Sequence, residues 1–161
     1  RESLGARFKL GTEMVEIGPG VYLTGEVPRE SAFEKGDPNM TMITEDGRQV
    51  RPDPLHDDLS MIVDTDRGMV IVLGCAHAGM INILNYAIAQ LKRDRIFAVI
   101  GGTHLGFSSD EQFDETVKVI DQYRIERLGV SHCTGLEKAS LLHAKLGPRF
   151  FFGTVGAVLE G

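Results

Sequence analysis

With 161 residues, 42% of them apolar, the chain can bury one sizeable core and is too hydrophobic to be a disordered segment. A formal charge of −6 without any basic block argues against duplex nucleic acid as a partner. No apolar run approaches the ~20 residues of a membrane span, and no stretch reads as a signal peptide. The two cysteines, Cys75 and Cys133, lie outside any disulfide-type spacing and close to histidines, so a reducing, cytoplasmic setting is expected.

In chain order, residues 10–25 carry short apolar stretches broken by Gly18, Pro19 and Gly20, the pattern of a hairpin whose second strand opens with Val21, Tyr22 and Leu23. Residues 26–58 are the least regular part, broken by Pro28, Gly36, Pro38, Pro52 and Pro54 and rich in acidic side chains. A connection of that length is expected to be functional or loosely ordered. Leu59 to Val63 and Met69 to Leu73 read as an antiparallel pair joined by Asp64-Thr65-Asp66-Arg67-Gly68. From Ile81 the period changes, with Ile83, Leu84, Ala87, Ile88 and Leu91 at helical spacing and Lys92 and Arg93 following where they suit the helix dipole. A strand over Ile96 to Ile100 follows. Next comes a helix from about Asp110 to Tyr123, with Phe113, Val117 and Ile120 inward and Ser109 or Asp110 as its cap. A strand over Arg127 to Val130, a helix over Glu137 to Leu146 and a strand over Phe150 to Val155 complete the chain. The alternation predicts an α/β fold, a mixed sheet covered by helices.

Three of the five histidines stand just past apolar runs. His77 follows Met69 to Leu73, His104 sits in AVIGGTHLG, and His132 in RLGVSHCTG. Strand ends are where α/β folds place their chemistry, and neutral imidazoles held on rigid strands bind zinc, manganese or iron. A single histidine in such a place is more often a surface or core residue; three in equivalent positions point to a metal site. Cys75 reads as a thiolate ligand, a nucleophile or a small buried side chain, and the residues leave these open. Cys133 reads as core or as a residue supporting the ligands. In the Asp57-Asp58 pair, a carboxylate orienting a ligand histidine competes with a solvated loop acid. His56 is equally open, and His143 reads as structural or exposed. Ser131, Thr134 and Gly135 offer hydroxyls and backbone N–H groups to a phosphate or carboxylate.

GMVIVLGCAHAGMINIL, AVIGGTHLG and SHCTG resemble the C-terminal half of metallo-β-lactamase-fold hydrolases. Together with GPGVYLTGEVPRESAFEKGD and HDDLSMIV they resemble in particular the subfamily labelled 7,8-dihydropterin-6-methyl-4-(β-D-ribofuranosyl)aminobenzene 5′-phosphate synthase. The resemblance runs over nearly the whole chain. It implies half of a four-layer αββα sandwich and two divalent ions per complete site, zinc first with manganese or iron as alternatives. Carried over residue by residue, His132 takes the place of the last metal ligand. Cys75 stands where many relatives have the metal-bridging aspartate, and His77 is the subfamily's own histidine and a substitute ligand. His104 becomes a catalytic or substrate-phosphate contact, or a further ligand, and Asp57 lies near the subfamily's acidic pair.

The family also carries, upstream of the matching region, an HxHxDH motif that this sequence lacks. The expected activity is therefore metal-assisted attack of water on a small molecule, a phosphorylated pterin-type compound, incomplete without an N-terminal half. That half would be a partner subunit or part of a longer chain, covering an apolar sheet face expected to be built from Met69, Ile71, Leu73 and Val99, and homo-oligomerisation is expected as well. The alternative is a metal-binding or partner domain that is catalytically incomplete.

Overall fold

The Gly18-Pro19-Gly20 turn folds β1 (Val15–Gly18) antiparallel onto β2 (Val21–Leu23), as its punctuation predicts. The computed structural model describes Gly5 and residues 7–160; the polar opening at residues 1–4 lies outside them. The irregular stretch after β2 holds a small hairpin that its sequence did not announce, β3 (Thr41–Ile43) paired with β4 (Val50–Pro52). Both strands are largely exposed and too short to show alternation, so no periodic signal marks them.

The expected antiparallel pair is β5 (Met61–Thr65) and β6 (Gly68–Leu73). Its strands run further into the connection than the sequence suggested, leaving only Asp66 and Arg67 to turn the chain. Beyond β6 the chain alternates: α1 (Met80–Leu91), β7 (Ile96–Gly102), α2 (Asp110–Gln122), β8 (Arg127–Ser131), α3 (Leu136–Leu146) and β9 (Phe150–Phe152). The last strand stops at Phe152, short of the Val155 expected, and Val155 is fully exposed. Ser109 caps α2 as predicted, its hydroxyl accepting the Gln112 N–H. Arg93 does not serve the α1 dipole; it reaches across to Asp64, pairing α1's exit with β5.

These strands form one seven-stranded mixed sheet in the order β1-β2-β5-β6-β7-β8-β9, antiparallel up to β6 and parallel from β6 to β9. The parallel half needs a crossover between neighbours, and each helix supplies one. Register places Ile62, Ile71, Val99, Leu128 and Phe150 side by side on one face, and all are buried. Residues from all three helices join them in a single core. Met69, Ile71, Leu73 and Val99 would, on the sequence reading, form the face that awaits a partner sheet. They are instead 0–5% exposed beneath the chain's own helices. The opposite face carries Leu23, Met61, Val63, Val70, Val72 and Ile100, each only half-buried.

Candidate metal centre and the pocket beside it

The parallel strands β6, β7 and β8 end together, and each hands on to a turn bearing a histidine. After β6 the chain runs Gly74-Cys75-Ala76-His77, with Ala76 at φ 58°, a left-handed backbone that is strained for any residue but glycine. That kink sends Cys75 and His77 to different neighbours. Cys75 Sγ lies 3.1 Å from His132 Nε2 at the end of β8, while the His77 ring stands 4.4 Å from the His104 ring at the end of β7. The three strand-end histidines therefore divide into a thiol–imidazole pair and an imidazole–imidazole pair.

Gly102, the last residue of β7, lets the first pair meet across the intervening strand. A Cβ there would stand 2.4 Å from His132 Cε1, 2.7 Å from Cys133 Sγ and 2.7 Å from the Gly74 carbonyl. The other ring nitrogen of His132, Nδ1, is 3.1 Å from the Ser131 hydroxyl. An imidazole with one nitrogen free for a ligand and the other held by a hydrogen-bonding partner is the arrangement metal-binding histidines adopt. Cys75 Sγ, His132 Nε2 and Cys133 Sγ all lie within 4.8 Å of one another, a compact set of soft donors of the kind zinc favours. Cys133 is otherwise engaged. Its sulfur accepts the His104 N–H and donates to the Cys75 carbonyl, and burial pushes its thiol up in pKa. Cys75 and His132 are thus the two side chains whose geometry fits an ion.

His77 and His104 line a separate pocket. His104 also has a left-handed backbone, φ 54°. Its Nε2 stands 3.5 Å from Asp37 Oδ2, an ion-pair distance without hydrogen-bond alignment. Both His104 ring nitrogens and His77 Nδ1 are buried and hydrogen-bond to nothing among the described residues. Burial, reinforced by the adjacent His77, holds the His104 imidazole below its ordinary pKa, against the opposing pull of Asp37.

Asp57 is exposed, and its neighbour Asp58 is the carboxylate that reaches the strand ends, accepting the Ala78 N–H at 2.8 Å. His56 pairs with Glu26 at 2.6 Å, and His143 is exposed on α3 beside the Phe150 ring. The Thr134 hydroxyl is buried against that of Thr103, 2.8 Å away, and so is not presented to a ligand.

Sequence reasoning assigned no chemistry to Glu34, Asp37 or Asn82, which tie the irregular segment to this region. Glu34 is 4% exposed and accepts the N–H groups of Ile81 and Asn82 at the start of α1. Desolvation raises its carboxyl to about 7, against those two hydrogen bonds and Arg29. The Asn82 side chain answers by accepting the N–H groups of Glu30 and Ser31. The one hint in the sequence is the placement of both acids in EKGD, within a stretch that carries the family resemblance.

No protein-family model matches the chain. Over 142 residues, 87% of its length, it is 30% identical to the 7,8-dihydropterin-6-methyl-4-(β-D-ribofuranosyl)-aminobenzene-5′-phosphate synthase of Methanocaldococcus jannaschii. The matched region is 48% of that protein, so the chain spans about half the length of this curated relative. A solved structure, described as a metal-dependent hydrolase of the β-lactamase superfamily, is 26% identical and superposes with a TM-score of 0.78. That match covers 96% of this chain and 58% of the other. The two likenesses agree, and this chain belongs to the metallo-β-lactamase superfamily.

Proposed function

We propose that this chain carries the C-terminal half of a metal-dependent hydrolase or synthase centre that acts on a phosphorylated pterin-type small molecule. The observation that supports it best is the Cys75–His132 pair, brought across β7 by the missing side chain at Gly102 and braced by Ser131. Cys75 and His132 would hold a divalent ion, zinc first by donor type, with manganese or iron as alternatives. A second ion would take its ligands largely from an N-terminal half. An ion held by Cys75 and His132 would supply a water of lowered pKa and polarise the bond under attack. The chain's own residues do the rest. Ser131 fixes the His132 ring, the Asp58 carboxylate holds the turn after Cys75, and His77 and His104 present unpaired nitrogens to the pocket beside them.

The test is the metal content of the full-length protein. Cys75→Ser and His132→Ala should each lower bound metal well below wild type, with the fold retained by circular dichroism. Unchanged stoichiometry in both variants would remove the proposal. His104→Ala should keep its metal and lose turnover; metal lost in step with activity would make His104 a ligand. A complete protein that holds its metal yet hydrolyses no phosphorylated pterin would leave the partner-domain alternative.

A further inference from the structure

The pocket beside the metal pair has a chemistry of its own. It is a cavity of about 200 Å³ between residues 34–39 of the irregular segment and the His104 turn. One wall is a row of rings, His77 to His104 at 4.4 Å and His104 to Phe107 at 4.9 Å. Phe107 ends the row at the pocket's rim with 69% of its surface exposed, a large apolar ring that the core does not use. The facing wall carries Asp37, whose side chain is only 10% exposed. One of its carboxylate oxygens accepts the Asn39 N–H, and the other stands 3.5 Å from His104 Nε2.

Charge decides what fits. Among the described residues no lysine or arginine lines the cavity, while Glu34 and Asp37 both do. The N-terminus of α1, which would attract an anion, is already filled, because Glu34 accepts the Ile81 and Asn82 N–H groups at 2.8 and 2.9 Å. A phosphate here would meet the Asp37 carboxylate and the Glu34 carboxyl, and no cation among the described residues. A flat ring with N–H groups would stack on Phe107, donate to Asp37 and pair with the imidazole nitrogens that lack partners.

We propose that this pocket recognises the planar, N–H-bearing heteroaromatic end of the substrate and turns phosphate away, with Phe107 and Asp37 setting the specificity. This rests on the reading that the adjoining strand ends are catalytic, and it adds which part of the substrate enters beside them. It also narrows the role of His104, which then touches the ring end of the substrate and not a phosphate.

Pterin (2-amino-4-oxopteridine) is a suitable probe, its own fluorescence reporting binding to the full-length protein with and without added zinc. Saturable binding is expected. Phe107→Leu and Asp37→Asn should each weaken it about three- to tenfold, in line with the loss of one stacking partner or one charge-assisted hydrogen bond. Millimolar inorganic phosphate should not displace it. Phe107 is exposed and Asp37→Asn is isosteric, so a thermal melt will show both variants folded. Absence of saturable binding, wild-type affinity in both variants, or displacement by phosphate would each overturn the assignment. Metal content of the same samples keeps the two readings apart. Ring binding that survives while Cys75→Ser and His132→Ala hold full metal overturns the metal centre and leaves this site standing.

Discussion

Gly102 and Glu34 show how single positions control the site without supplying its ligands. An alanine at 102 would drive its methyl into His132, Cys133 and the Gly74 carbonyl at once, two side chains and a backbone that cannot all yield. Gly102→Ala should therefore destabilise the fold by roughly 1–3 kcal/mol, the usual cost of overpacking, and lower bound metal although Cys75 and His132 are both unchanged. Full metal content in this variant would mean that the pair does not depend on close approach across β7. Glu34 makes a prediction about pH. Its carboxyl titrates at about 7 in the fold, raised mainly by burial above an ordinary value of 4.5. The folded state binds this proton more tightly than the unfolded chain, so stability from this group is full below about 4.5 and is lost as pH rises through 7. The difference is at most about 3 kcal/mol. Urea unfolding at pH 5 and pH 8 should show wild type losing more stability on the way up than Glu34→Gln, which cannot ionise. Equal losses in the two proteins would show that Glu34 does not titrate in that window. Neither residue stood out in the sequence as chemistry, because one acts by lacking a side chain and the other by contacts some 47 residues distant along the chain.

The elements that carry the candidate centre were the legible ones. The run from Met69 to Leu73 had to be a buried strand and Ile83 to Leu91 a helical face, so a histidine placed just after such a run was bound to lie at a strand end. What the runs could not show was how the three turns pair off, since that depends on the left-handed kink at Ala76 and on the side chain absent from 102. Residues 26–58 were illegible for a different reason. Their order comes from tertiary hydrogen bonds, chiefly the exchange in which Glu34 accepts from the start of α1 and Asn82 accepts from Glu30 and Ser31. Nothing periodic records such bonds. Asn82 is 2% exposed, and its removal leaves two N–H groups of the segment without their acceptor. Asn82→Ala should cost about 1–3 kcal/mol for those orphaned groups. More tellingly, amide exchange at Glu30 and Ser31 should speed up while β6 and β7 stay protected. Unaltered exchange at those two amides would show that the segment is held by something other than this clamp.

At the scale of the whole molecule, the sheet has two unequal faces. One is sealed by the three helices, and the other presents Leu23, Met61, Val63, Val70, Val72 and Ile100 as half-buried side chains. The alternation that seals Met69, Ile71 and Leu73 beneath α1 necessarily turns Val70 and Val72 the other way, so the apolar second face follows from the strand's unbroken apolar run. At ~25 cal/mol per Å², an uncovered apolar area of roughly 400 Å² is unfavourable by about 10 kcal/mol. A typical domain's whole stability is about 5–15 kcal/mol, so a face of that size left in water would consume most of it. Sheets with two apolar faces resolve this by packing a second sheet about 10 Å away. The chain spans about half of its curated relative, which makes the other half of that length a candidate for the covering sheet, with a second copy of the chain as the competing occupant. Taken alone at micromolar concentration, residues 1–161 should therefore self-associate in sedimentation and bind a hydrophobic dye. Placing a charge at the centre of the face, as in Val70→Lys or Val72→Glu, should abolish the association without disturbing the helix-covered core. A cooperative monomer that binds no dye would show that the second face needs no partner, and the proposal of a separate covering half would fall with it.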